Sequence, residues 1–359
     1  MVALEINDSD RAGFSLKAPE TCRTCSQAHL KILKNMLRSS LLMLKVDMPE
    51  TKSIHRARTG LAIFFVVLIV IDAPFFAWIY ANQADLDKHW ILVNLYCWTP
   101  AIASLVARLI LREGIGDISF KLKWRACRIP FLIAGLTFPL IFLVSYGLAW
   151  WTGLATFTPA SLEPVGSVNW FNQLNCHGTY ALFNLFPPIH SPVGQFVIGL
   201  IINLPILIII NAFTSDIGEE IGWRGYMLTR LVDAKVPLPL LMSGVIWGLW
   251  HAPYVLTGLV DPLPNRFLGF ILFMVMIISS GWLVSWLRLR SGSLWPALLG
   301  HSISNALVPI FDGSTSASKA APFGTLWVGE NGILIAATTF IGILLIAWIL
   351  RKNVKESLA

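Results

Sequence analysis

Residues 194–215 read GQFVIGLIINLPILIIINAFTS, and residues 216–226 continue DIGEEIGWRGY. The first piece carries no charged side chain. At 1.5 Å rise per residue, about 20 apolar residues cross the roughly 30 Å of hydrocarbon in a bilayer. The second piece sets three carboxylates and an arginine directly against that apolar run, and W-R-G-Y-M-L-T-R-L still reads as helix toward residue 231. A membrane helix that ends in, or passes through, a cluster of charge is therefore the first expectation.

Further apolar runs of spanning length lie near 61–80, 91–111, 129–151, 238–256, 267–287, 293–311 and 332–350. Composition agrees. Of 359 residues, 55% are hydrophobic and only 13% charged, against about 25% charged in soluble domains. A soluble enzyme with a charged shell is excluded, and so is bulk disorder. The fold class expected is all-α, a polytopic membrane helical bundle with about eight transmembrane helices.

Charge placement gives the orientation. The chain has 27 Lys and Arg against 20 Asp and Glu, a net +7. These charges border the apolar runs, which favours membrane orientation over nucleic-acid binding. With eight spans and both termini cytoplasmic, all the Lys and Arg except Lys88, Arg266 and Lys319 fall on the cytoplasmic side. The expected location is integral and multi-pass in the cell membrane. Residues 1–58 form a cytoplasmic N-terminal segment, in which 28–46 reads as a surface-lying amphipathic helix or a loosely ordered tail. The lone Cys22-x-x-Cys25 lacks the second pair that a structural zinc site needs. Residues 312–320, DGSTSASKA, read as a flexible loop.

Ionisable groups within lipid are costly and mark functional candidates. Asp72 lies inside the first span without an evident partner. Asp216, Glu219, Glu220 and Arg224 cluster at the end of the fourth, His251 lies in the fifth, and His301 in the seventh with Asn305 four residues on. Glu220 and Arg224 are spaced i,i+4 and can pair on one helix face. Adjacent Glu219 then points about 100° away. A carboxylate or carboxylate–histidine pair can activate water, and histidine and asparagine N–H groups can hold an oxyanion. The same Glu-plus-two-His set could bind zinc. Either way the chemistry is hydrolysis. No H-E-x-x-H or G-x-S-x-G occurs. A G-x-G-D at Gly114–Asp117 lies at a basic edge without a partner motif and reads as chance.

Glu219-Glu220-x-x-x-Arg224, Trp247-x-x-x-His251 and His301-x-x-x-Asn305, in order on separate spans, resemble the CPBP family of CAAX proteases and bacteriocin-processing enzymes. That family includes the Ras-converting type of prenyl-protein endopeptidase. The resemblance implies an intramembrane protease domain over 59–359 with its catalytic core at about 194–311. It implies Glu219 as general base, His251 as its assistant, and His301 and Asn305 as oxyanion donors. Glu220, Arg224 and Trp247 would organise the site, with Trp247 standing where the family usually has Phe.

The implied substrate is a hydrophobic or lipidated peptide or protein in the bilayer, CAAX-type prenylated or bacteriocin-like. Family members carry a metalloprotease label, so zinc on Glu219, His251 and His301 stays open. The metal-free form is preferred, because water held by Glu219 and His251 needs no cofactor. A rival reading is a non-catalytic membrane immunity or scaffolding protein on the same fold. One geometric difficulty stands: the run ending near 215 leaves Glu219 close to the cytoplasmic surface, with His251 and His301 deeper.

Overall fold

The computed structural model describes residues 51–81, 90–158, 192–258, 263–317 and 324–356. Cys22, Cys25, the 28–46 segment and most of the 152–193 loop lie outside the described residues. Helix α1 (Thr51–Ala81) is followed by α2 (Trp90–Cys97), α3 (Thr99–Leu111), a 3₁₀ turn (Gly116–Ile118), α4 (Trp124–Thr152) and strand β1 (Ala155–Phe157). The next helical run starts as α5 (Pro192–Asn211), passes a π turn (Ala212–Asp216), α6 (Ile217–Gly222) and a second π turn (Trp223–Met227), and ends in α7 (Leu228–Asp233). Then come α8 (Pro239–Trp250), α9 (Ala252–Thr257), α10 (Arg266–Ser291), α11 (Trp295–Asp312), strand β2 (Thr315–Ala317), α12 (Gly324–Trp327) and α13 (Ile333–Glu356).

The protein is an all-α multi-pass membrane bundle. Helices dominate because hydrocarbon offers backbone groups no outside partner, so each span must close its own hydrogen bonds. Among the described residues, 7 helical stretches are long and apolar enough to cross a membrane. The eighth expected span is α11, an 18-residue helix outside that set. His301, Ser302, Ser304 and Asn305 lower its apolarity, and it does not face lipid: it packs on α4, α5 and α10.

The continuation of the fourth span toward residue 231 is what the structure shows, since the helical run reaches Asp233 and the charges beyond 215 find partners inside the protein. One other expectation is corrected. The 312–320 segment is not simply a loop. Thr315–Ala317 pairs antiparallel with Ala155–Phe157, Phe157 opposite Thr315, and the Thr158 amide donates to the Ser314 carbonyl at 3.0 Å.

Two apolar cores flank the centre. One gathers Phe64, Tyr96, Trp223, Tyr226 and Trp250 from α1, α2 and the α6–α8 region. The other gathers Phe138, Phe142, Leu283, Leu287 and Phe311 from α4, α10 and α11. Close approaches bring the site helices onto their supports. A Cβ on Gly222 of α6 would lie 2.3 Å from Pro100 Cβ and 2.4 Å from its carbonyl carbon. On Gly244 of α8 it would lie 2.8 Å from the Ile278 carbonyl oxygen in α10. Small residues let membrane helices meet backbone to backbone in this way, as Gly218, Gly222 and Gly244 do, while Gly248 makes room for the Ile277 and Met274 side chains.

One end of the bundle is tied by an ionic network. Glu113 accepts from Arg56 Nε at 3.1 Å and from Arg230 Nη2 at 2.8 Å. Asp117 pairs with Arg108 Nη1 at 2.5 Å and Arg230 Nη2 at 3.0 Å, and its carbonyl accepts from Arg288 Nη2 at 2.5 Å. The aspartate of the Gly114–Asp117 motif is thus engaged by arginines.

Candidate active site

α6 carries adjacent carboxylates that diverge. Glu219 Oε2 accepts the indole N–H of Trp247 at 2.8 Å. Glu220 Oε1 accepts from Arg224 Nη1 at 2.7 Å and from His301 Nδ1 at 2.9 Å. Glu219 is 4% exposed, and Glu220 and Arg224 are fully buried. The one-residue step around the helix separates the two roles. Glu220 closes an ion pair in which the Arg224 guanidinium lies 4.2 Å over the Trp247 ring, a cation–π contact that is strongest when water is excluded. Glu219 lies against the cavity.

α8 supplies Trp247 and, at its C-cap, His251. His251 Nδ1 is 2.9 Å from the Trp247 carbonyl oxygen. A carbonyl only accepts, so Nδ1 carries the hydrogen, and in the neutral ring Nε2 is left as an acceptor. The ring is wedged edge-on against Trp250 (centroids 4.8 Å) and Trp247 (5.6 Å). Trp250 is itself fixed, donating its indole N–H to Asp72 Oδ2 at 2.9 Å and stacking on Tyr96 at 4.2 Å. Asp72, buried in α1, is thereby tied to the aromatic wall behind His251.

α11 supplies His301 and Asn305 on one face. His301 packs edge-on to Trp247 at 5.0 Å, and its Nε2 lies 4.0 Å from Asp216 Oδ1. Asn305 Nδ2 donates to that same oxygen at 2.9 Å, which also accepts from Ser215 Oγ at 2.9 Å. Asp216, fully buried, closes the π turn Ala212–Asp216. Such turns recur at functional sites because they shift the register of a helix face. Sequence reading placed Asp216 in the acidic cluster but gave it no role. Its i,i+3 spacing to Glu219 was the available signal; its partner 89 residues away was not visible.

These groups converge. Glu219, Trp247, His251, His301 and Asn305 line one cavity of about 610 Å³. Its lining combines polar Asn211, Ser215 and Ser304 with apolar and aromatic Tyr96, Trp250, Phe273, Met276 and Ile277. The depth difficulty is resolved by the extended fourth span. Glu219 lies about 16 Å of helix before Arg230, and His251 about 18 Å after the start of α8, at 1.5 Å per residue.

The donors do not form a metal seat. Among the described residues, no three His, Cys, Asp or Glu side chains are grouped so as to hold a metal ion. His301 and His251 each engage Nδ1, which leaves Nε2 as the coordinating atom of either ring. Glu219 is not grouped with the two rings as a third ligand, so the set as arranged does not make the three-ligand seat of a hydrolytic zinc site.

A family model described as type II CAAX prenyl endopeptidase Rce1-like matches residues 196–307, the stretch from α5 to α11. Neither a curated protein nor a solved structure matches this chain.

Proposed function

We propose, from the match of residues 196–307 to the Rce1-like CAAX prenyl endopeptidase model, that this chain is an intramembrane endopeptidase in which Glu219 activates the attacking water. The observation that carries the reading is the meeting of Glu219, His251, His301 and Asn305, from three separate helical segments, on one cavity inside a membrane bundle.

The chemistry follows from the atoms. Glu219, with one oxygen fixed by Trp247, takes a proton from water, and His251 Nε2 accepts the water's other hydrogen bond. The water oxygen attacks the scissile carbonyl carbon. Charge develops on the carbonyl oxygen, where the second Nδ2 hydrogen of Asn305 donates; its first is held by Asp216. His301 adds a donor at Nε2 when the ring carries both hydrogens, with Asp216 Oδ1 beside it. Collapse of the tetrahedral intermediate breaks the C–N bond, and the proton on Glu219 passes to the departing amine. Preorganised donors of this kind are worth about 10²–10³-fold in rate each.

The substrate is a membrane-associated peptide or protein. The aromatic lining of the cavity suits an apolar group beside the scissile bond, in keeping with a prenylated CAAX terminus or a hydrophobic bacteriocin-like peptide. The basic ends of the spans support a reading in which the protein sits in the cell membrane with both termini on the cytoplasmic side. The test compares protein termini in membranes of the native cells, wild type against Glu219→Ala at matched expression. New C-termini present only with wild type are expected and name the substrate. Identical sets of termini would sink the reading.

A further inference from the structure

The segment joining α3 to α4 carries a surface that the cavity chemistry does not use. Residues 120–128 read FKLKWRACR. Phe120, Leu122 and Trp124 are 42%, 58% and 65% exposed and alternate with exposed Lys121, Lys123 and Arg125; exposed Arg128 follows on the first turn of α4. The apolar span itself begins at Trp124, so this stretch sits where chain enters membrane. Aromatic and basic side chains favour that interfacial layer.

Its charge is unanswered within the protein. Among the described residues, the side chains of Lys121, Lys123, Arg125 and Arg128 take part in no hydrogen bond or ion pair. The carboxylates at the same end are already taken: Glu113 by Arg56 and Arg230, Asp117 by Arg108 and Arg230, and Asp233 by Arg230. The first turn of α4 has no acidic residue, so the positive end of its helix dipole adds to the same field.

The segment is also pinned. The Leu294 amide donates to the Ser119 carbonyl at 2.9 Å, Ser119 Oγ donates to the Gly292 carbonyl at 2.5 Å, and the Trp295 indole N–H donates to the Phe120 carbonyl at 2.8 Å. Phe120 packs on Trp295 with centroids 5.8 Å apart. A ligand of matching charge therefore meets a surface whose backbone is already ordered, which lowers the entropy lost on binding.

We propose that residues 120–128 form a binding surface for anionic phospholipid headgroups in the leaflet at the basic end of the bundle. Phosphates occur in that layer at high local concentration, and the interleaved Phe120, Leu122 and Trp124 match the acyl boundary beneath them. An acidic segment of a soluble protein would satisfy the lysines and arginines but not the apolar side chains between them. Each basic residue at such a surface contributes about a fivefold preference for anionic lipid, weakened by salt.

The experiment needs no substrate. The full chain is reconstituted in phosphatidylcholine bilayers. Its association with spin-labelled phosphatidylglycerol is compared with that of spin-labelled phosphatidylcholine by electron paramagnetic resonance. Wild type should prefer the anionic label by about fivefold or more, and 1 M salt should weaken the preference. K121Q/K123Q/R125Q/R128Q should bring the two lipids within about twofold of each other, and the charge-keeping K121R/K123R should retain the wild-type value. The pairs K121Q/K123Q and R125Q/R128Q should each fall between, which keeps the test decisive if the fourfold variant folds poorly. Wild-type selectivity in the two pair variants would overturn the proposal. So would a soluble poly-glutamate peptide whose binding is lost in those variants while lipid selectivity is unchanged, because the partner would then be an acidic protein.

Discussion

Gly222→Ala tests how packing sets the site. An added Cβ would stand 2.3, 2.4 and 2.6 Å from Cβ, the carbonyl carbon and the carbonyl oxygen of Pro100. Ordinary contact between such atoms is about 3.5 Å. Helix α6 must then back away from α3 by about 1 Å, because two of the three opposing atoms are backbone and cannot rotate aside. Overpacking of this kind costs about 1–3 kcal/mol. The displaced helix carries Glu219 and Glu220, whose hydrogen bonds to Trp247 and His301 are 2.8 and 2.9 Å long. A shift of about 1 Å in a catalytic group can cost on the order of 10²-fold in rate. Gly225→Ala is the internal control: its nearest neighbour is a flexible Ile118 methyl at 3.4 Å, and Gly→Ala within a helix gains up to about 1 kcal/mol. Thermal unfolding in detergent and cleavage in membranes are the readouts. Gly222→Ala should lose both stability and cleavage, and Gly225→Ala neither. Wild-type behaviour of Gly222→Ala would refute the close α3–α6 contact and the coupling drawn from it.

Glu220→Gln removes the counter-charge of fully buried Arg224 and should destabilise the fold by about 3–5 kcal/mol; an unchanged melting temperature would contradict the buried pair. Trp247→Phe keeps an aromatic ring beneath Arg224 but deletes the donor to Glu219. A double-mutant cycle with Glu219→Gln should show a coupling of about 0.5–3 kcal/mol, whereas simple additivity would argue against the bond. For Asp216, alanine should lower kcat by on the order of 10²-fold with KM little changed, since Asn305 loses its anchor. Asparagine at that position keeps an acceptor and should retain more of the rate; equal loss in both variants would assign Asp216 a purely electrostatic role.

Spans were legible where apolar residues ran unbroken, because length in hydrocarbon is set by bilayer thickness. They became illegible where function lives. The charges from Asp216 to Arg224 broke the apolar pattern at 215, yet each finds a partner inside the bundle and the helix runs on to Asp233. α11 lost apolarity to His301, Ser302, Ser304 and Asn305 because it is enclosed by α4, α5 and α10 instead of by lipid. The divergence of Glu219 from Glu220 could be worked from a 100° step. The donation of Trp247 to Glu219, the seat of Asn305 on Asp216 and the pairing of β1 with β2 link residues far apart in the chain, and no local pattern encodes them.

The central claim, that Glu219 turns a water into the nucleophile within this cavity, is met most directly by isotope incorporation. Wild-type membranes in ¹⁸O-labelled water, acting on the substrate identified from the comparison of termini, should release a fragment whose new C-terminal carboxylate carries one ¹⁸O. Folded Glu219→Gln should release none. Labelled product formed at the wild-type rate by Glu219→Gln would place the base elsewhere and contradict the account.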